Sequence, residues 1–495
     1  MEKYILALDQ GTTSSRAVLL NKKAEMVAVA GQEHPQIYPK PSWVEHDPEA
    51  IWHSVVKCTT DVLKKSGIRA DQIAAIGITN QRETVIGWDA ESSQSIYNAI
   101  VWQCRRTTDF CQGLKKKKLE ARIKKKTGLV VDPYFSGSKI RWLLENVKGA
   151  RALAKQGKLK VGTIDSFLLW RLTGGRAHKT DVSNASRTQL MNIAKGTWDP
   201  ELLKIFQVPA NILPEICASN ADFGVTRGVP GLPDGIPITG IAGDQQSALF
   251  GQSCFEVGMS KCTFGTGSFL LMNTGSKMVA SRSGLLTTVA WRLKNDKKMT
   301  YALEGGAFIC GAAVQWLRDQ MEFIRDSAEV EKLALQVKST DGIYLIPAFV
   351  GLGAPYWAPE ARGAIVGLTR GTTRAHLARA TLEAMAFQNV DILLAMEKDL
   401  KGKLKLVRVD GGAVRNELLM QMQADFLGTT VQRPAQTEST VLGAAFLAGL
   451  GVGYWGSLAE IGKIWLQDRE FKPTIAKKER EQRLAGWRTA VQRVL

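Results

Sequence analysis

Gly240-Ile241-Ala242-Gly243-Asp244-Gln245-Gln246 stands near the middle of a 495-residue chain, and its reading decides the fold. The run IPITGIAG alternates β-branched and small residues after the Pro- and Gly-rich VPGLPDG, the pattern of a short buried strand. Gln245 to Cys254, QQSALFGQSC, has helical spacing. Asp244 therefore falls where a strand ends and a helix begins, the place where open α/β sheets bind ligands. A carboxylate there can cap the helix or face a cleft, and this stretch alone does not choose between them.

The N-terminus supplies a companion. YILAL runs into Asp9-Gln10-Gly11-Thr12-Thr13-Ser14-Ser15-Arg16, and then AVLLN and MVAVAGQ follow as further strands, making a β-meander. Hydroxyls, one Gly and an Arg at a tight turn suit phosphate oxygens, and Asp9 at the strand end suits a magnesium ion held through water. A plain hairpin loop would use the same residues. Past Cys254 the plan restarts as MSKCTF, Gly265-Thr266-Gly267, SFLLMN, which predicts two domains of one design, 1–253 and 254–495. EGGAFICGAAVQWLRDQM and GGAVRNELLMQMQADFLG each place Gly-Gly ahead of a helix, where a ligand can approach the backbone at a helix N-terminus.

Other segments carry weaker signals. A helix is predicted from Pro48 to Gly67, and NQRET (80–84) between two apolar strands reads as an exposed turn or as a polar substrate site. LKKKKLEARIKKK (114–126) reads as one solvated helix with Leu114, Leu119 and Ile123 inward, and TGGRAHKTDVSNASRTQLMN (173–192) as loop. Gly451-Val452-Gly453-Tyr454-Trp455-Gly456 fits a dinucleotide pattern formally. It follows a helix and is set aside.

Composition bounds the class. With 45% hydrophobic and 23% charged residues the chain is globular, and no apolar run approaches a membrane span of about 18 residues. Seven scattered cysteines without CxxC spacing fit reduced thiols, and the chain is expected in the cytoplasm without membrane partners. The net charge of +18 invites a nucleic-acid reading, but the basic run lacks interleaved aromatics, so none is expected.

Long motifs then carry a resemblance. ALDQGTTSSRA, SWVEHDP, GITNQRET, NAIVWQCRRT, DPYFSGSKIRW, GIAGDQQSALFGQ, YALEG, IPAFVGLGAPYW, GAIVGLTRGTTRAHLARATLE and RVDGGAVRN resemble those of the FGGY carbohydrate kinases from Tyr4 to Trp487. The resemblance implies an α/β chain of two ribonuclease-H-like domains, the actin, sugar kinase and Hsp70 ATPase fold, flanking a cleft. It implies ATP-dependent phosphorylation of a small polyol, glycerol, to sn-glycerol 3-phosphate, in a homo-oligomeric enzyme, dimer or tetramer. By position, Arg82, Glu83, Tyr134, Asp244 and Gln245 would bind the polyol, with Trp102 and Phe269 as its apolar wall. Thr12, Thr13, Ser14, Arg16, Thr266, Gly311, Gln315, Gly412 and Asn416 would bind ATP. Asp9 and Asp244 would meet Mg²⁺, and Asp244 would be the general base. A kinase for another polyol or ketose, or an actin- or Hsp70-like ATPase, are the alternatives. Some relatives carry an Arg for a sugar bisphosphate before the central strand, or a phosphorylatable His. This chain has Asp234-Gly235 there and no His between His178 and His376, so neither control is expected.

Overall fold

The computed structural model describes residues 2–495. Two large sheets repeat one plan. In the first, Tyr4–Gln10 pairs antiparallel with Ser14–Leu20, which pairs antiparallel with Met26–Glu33. On its other side Tyr4–Gln10 runs parallel to Ile73–Asn80, and that strand parallel to Pro237–Gly243. In the second, Met259–Phe264 pairs antiparallel with Ser268–Gly275 and parallel with Leu406–Asp410. Ser268–Gly275 is flanked by Thr300–Ala307, and Leu406–Asp410 by Val431–Pro434. An antiparallel meander extended by parallel strands, made twice, is the ribonuclease-H-like pair expected for the actin and sugar kinase class.

Local signals are obeyed where chemistry is local. Asp47 caps the helix Pro48–Ser66 by accepting from the Glu49 amide, and Gly67 closes it in the left-handed region. The Asp244 helix spans Asp244–Gly251, but Gly243 holds its cap position. Asp244 is thus not a cap, and its carboxylate is left for other work.

Four expectations are corrected. The lysine-rich run is two helices, Thr108–Lys116 and Glu120–Thr127, because the chain turns at Lys118, whose φ is 58°. The NQRET turn is not exposed: residues 80–84 are all at most 3% accessible. Segment 173–192 contains a buried helix, Val182–Ser186, capped by the Asp181 side chain. Gly305 and Gly306 lie inside the strand Thr300–Ala307, and the helix that follows opens only at Gly311.

The two halves are tied by the helix Ser439–Gly451, which crosses from the C-terminal part of the chain onto the first sheet and the Asp244 helix. Its composition, STVLGAAFLAGLG, carries no charge and is buried over most of its length. Two glycines permit the approach. A Cβ on Gly443 would lie 1.8 Å from the Ser247 carbonyl oxygen, and one on Gly251 would lie 2.0 Å from that of Ser439. Both obstacles are backbone, so neither can swing aside. Gly443→Ala is therefore expected to destabilise the protein by about 1–3 kcal/mol, the usual cost of overpacking. Thermal unfolding checks it, and an unchanged midpoint would contradict this account of the helix contact.

Candidate active site

Asp244 sits at the carboxyl end of the central strand, with its side chain 31% exposed. Its Oδ1 accepts from the Gln245 amide at 2.7 Å and faces Arg82 Nε at 3.1 Å. Oδ2 has no protein partner among the described residues.

Arg82 is the hub. It follows strand Ile73–Asn80, and Glu83 beside it takes φ of 62°, a turn that drives both side chains inward. Arg82 Nη1 and Nη2 donate to Glu304 at 2.8 and 2.9 Å, and Nη1 also reaches Gln246 Oε1 at 3.1 Å. Arg187 completes the set by donating to Glu83 at 2.5 Å and to Glu304 at 3.1 Å. All four charges are nearly inaccessible to water. Burial works to raise the Glu304 carboxyl, but Arg187 and Arg82 overrule it and hold it at about 2. Burial wins at Glu83, which is shifted up despite the same two guanidiniums. The Tyr134 phenol is raised by burial and then by Glu83.

Aromatic rings close one side. Tyr134 stands edge-on to Trp102 with centroids 5.6 Å apart, and Arg187 lies 5.8 Å from the Tyr134 ring. Trp102 Nε1 donates to Thr12 Oγ1 at 2.9 Å, which joins the predicted polyol wall to the first hairpin. Across the cleft, cross-strand partners share a face of the second sheet: Thr263 opposite Phe269, and Phe269 opposite Gly306. Lys261 and Glu304, each opposite Leu271, lie on the same face. Phe269, Thr263, Lys261 and Glu304 thus face the first domain together. Fully buried Lys261 is lowered by burial against the pull of Asp410 and Asp244, and it donates to Gln245 Oε1 and to Thr263 Oγ1.

Two turns form the other end. The first hairpin is closed by Gly11 N to Ser14 O at 2.9 Å and shored from beneath by Gln36 Nε2 on Thr12 O and Gln81 Nε2 on Gly11 O. Thr13 is exposed, while Arg16 is engaged by Glu438 at 2.7 Å in a half-exposed pair. In the second turn, the carbonyls of Gly265 and Thr266 accept from Gly311, Cys310 and Ala312, so Thr266 and Gly311 are stitched together. Gln315 is exposed one turn further on. Gly412 is open and exposed, and Asn416 uses its Oδ1 to cap the helix Glu417–Leu427. Asp9 lies close enough to Asp244 to feel it: burial first, then the charges of Asp244 and Glu438 against Arg16, push its carboxyl up to about 7. A surface cavity of about 800 Å³ beside Asp47, Ser93 and Arg171 contains none of these residues.

A strand-end carboxylate between two phosphate-suited turns on duplicated halves matches known proteins. The N-terminal domain model of the FGGY family of carbohydrate kinases covers residues 4–251, and its C-terminal domain model covers 260–452. The chain belongs to the FGGY family of carbohydrate kinases. It is 62% identical to a glycerol kinase of Bdellovibrio bacteriovorus, over 100% of both chains. It is 54% identical to one of Caldanaerobacter subterraneus, over 100% of this chain and 99% of the relative. A crystal structure of Plasmodium falciparum glycerol kinase with ADP superposes with a TM-score of 0.95 at 38% identity, over 100% of this chain and 98% of that one.

In this FGGY kinase, Arg187, Glu304 and Lys261 escaped the reading of the residues. Glu304 and Lys261 each left a trace, as the lone charge in an apolar strand (YALEGGA, MSKCTF), whereas Arg187 sits in a polar stretch with no pattern. Glu304→Gln leaves both guanidiniums short of a carboxylate and is expected to cost about 3–5 kcal/mol, as for other broken buried ion pairs. The sign with pH is fixed by the low folded value. Glu304 adds stability above the ordinary glutamate value of 4.5 and loses it as pH falls toward 2, so the variant's acid limb flattens there. Urea unfolding from neutral pH downward checks both effects.

Proposed function

We propose that this kinase transfers the γ-phosphoryl group of ATP to a terminal hydroxyl of glycerol, giving sn-glycerol 3-phosphate, with Asp244 as general base. The supporting observation is the state of its two oxygens. Oδ1 is fixed by Arg82 and the Gln245 amide, while Oδ2 is free at a partly open position. Glycerol kinases 54–62% identical over the full chain support the choice of polyol.

The step balances without covalent help from the protein. Oδ2 takes the hydroxyl proton as the alcohol oxygen bonds to the γ-phosphorus, and the bond to the β–γ bridging oxygen breaks, releasing ADP. Arg82 and Glu83 would hold the polyol oxygens, with Tyr134 and Gln245 beside them and Trp102 and Phe269 against its carbon face. Thr12, Thr13, Ser14 and Arg16 would orient the phosphates, and Thr266, Gly311, Gln315, Gly412 and Asn416 the rest of the nucleotide. We assign residues 1–253 to the polyol and phosphate side and 254–495 to the nucleotide side. Asp9 and Asp244 are all-oxygen donors crowded enough for one to raise the other, a set that suits a hard cation carrying several waters. Magnesium bound there would offset the charge of the phosphates.

The seven cysteines are all unpaired and buried, and among the described residues no helix is long and apolar enough to cross a membrane. We place the enzyme in the cytoplasm as a homo-oligomer, which sedimentation would test. Asp244→Asn should lower kcat by about 10²–10⁴, the scale of base catalysis, while ATP still binds. A coupled ADP-release assay across glycerol, dihydroxyacetone, xylulose and water measures both turnover and polyol choice. Near-normal turnover in the variant, or equal rates with water alone, would remove this reading.

A further inference from the structure

Lys261 is wholly buried at 0% accessibility, and no carboxylate lies within 4.0 Å of its ammonium among the described residues. A buried cation without an ion pair is costly and calls for a reason. Its hydrogen-bond partners are two neutral oxygens, Gln245 Oε1 and, at 2.8 Å, Thr263 Oγ1, while Asp410 and Asp244 pull on its charge from beyond ion-pair distance. An ammonium has three donors and no acceptor, whereas a glutamine amide has one end of each kind. Lys261 can therefore hold Gln245 only by its oxygen, which fixes the amide and leaves Nε2 turned elsewhere. Nε2 has no protein partner among the described residues, and the half-buried side chain follows Asp244 directly.

We propose that Lys261 is a positioning residue for the acceptor substrate: it locks the Gln245 amide so that the pocket presents a hydrogen-bond donor to a hydroxyl oxygen beside Asp244. This rests on the polyol kinase reading and adds a determinant of specificity to it. A site that presents a fixed donor favours ligands with an oxygen there, because an unmet buried polar group is penalised. The lysine acts through Gln245 and not on the nucleotide, which separates its effect from that of a phosphate-binding cation.

The test is a double-mutant cycle read in steady-state kinetics. Lys261→Met and Gln245→Ala should each raise the glycerol KM about tenfold or more, with kcat and the ATP KM within about threefold, the signature of lost ground-state binding. The double variant should be no worse than the larger single effect, since both remove one coupled contact. Gln245→Glu covers the case in which Lys261→Met does not fold. Its carboxylate still accepts from Lys261, so the melting temperature should hold while the lost donor raises the glycerol KM by a similar factor. A glycerol KM within about twofold of wild type in Lys261→Met or Gln245→Glu, effects that multiply in the double variant, or an equal rise in the ATP KM would overturn the proposal. A wild type that turns over only another polyol would overturn the choice of glycerol, and the same cycle read on that polyol's KM would still decide the role of Lys261.

Discussion

Two arginines and two glutamates, closed off from water, hold the molecule's working geometry together. Arg82 and Glu83 come from the first domain's turn, Arg187 from the segment after its buried helix, and Glu304 from the second domain's sheet. Coulomb attraction in such a place is strong, but desolvation of four charges is comparably expensive. The network is therefore better understood as a specification than as a source of net stability. A placement that moved Glu304 off the two guanidiniums while the site stayed closed to water would leave it buried without a partner, a penalty that disfavours such placements.

The same network sets the chemistry of its neighbour. Arg82 spends its two terminal nitrogens on Glu304 and Gln246, and only Nε is turned to Asp244. One oxygen of Asp244 is thereby oriented and the other is left without a protein partner among the described residues. The proposed role of Asp244 as a base requires this division, because a carboxylate clamped on both oxygens would have no lone pair to direct at an acceptor hydroxyl. The glycine contacts between Gly251, Gly443 and their facing carbonyls serve the same end from behind, by seating the Asp244 helix on one fixed surface.

Much of this was legible in the sequence where the cause is local. The two hairpins, the Asp47 to Gly67 helix and the strand-to-helix break at Asp244 follow from turn residues, caps and alternation over fewer than twenty positions. The failures share one physical reason. NQRET looks like solvent-exposed chain because its residues are polar, yet it is buried since its partners, Glu304 and Arg187, lie over a hundred positions away. Polarity in sequence reports the need for hydrogen-bond partners and not whether water or protein supplies them. The lysine-rich run failed differently: helical periodicity was right on both sides of Lys118, but a single left-handed residue broke it.

The pairing of Lys261 with Gln245 extends that argument to the cleft itself. Strand alternation places Lys261 and Thr263 on one face, and sheet register brings Phe269 and Glu304 onto the same face from neighbouring strands. A lone lysine in an apolar strand would ordinarily be expelled to solvent, and its own strand offers it only the Thr263 hydroxyl. The opposite domain brings an amide oxygen to meet it, and Asp410 and Asp244 pull on its charge. The cost of burying that charge is thus contingent on the domains standing as they do, with the Asp244 helix facing the second sheet. Parting the two would strip Lys261 of its Gln245 contact and free the amide to turn. The orientation of the Gln245 amide thus depends on the same approach of the two halves that brings Glu304 to Arg82.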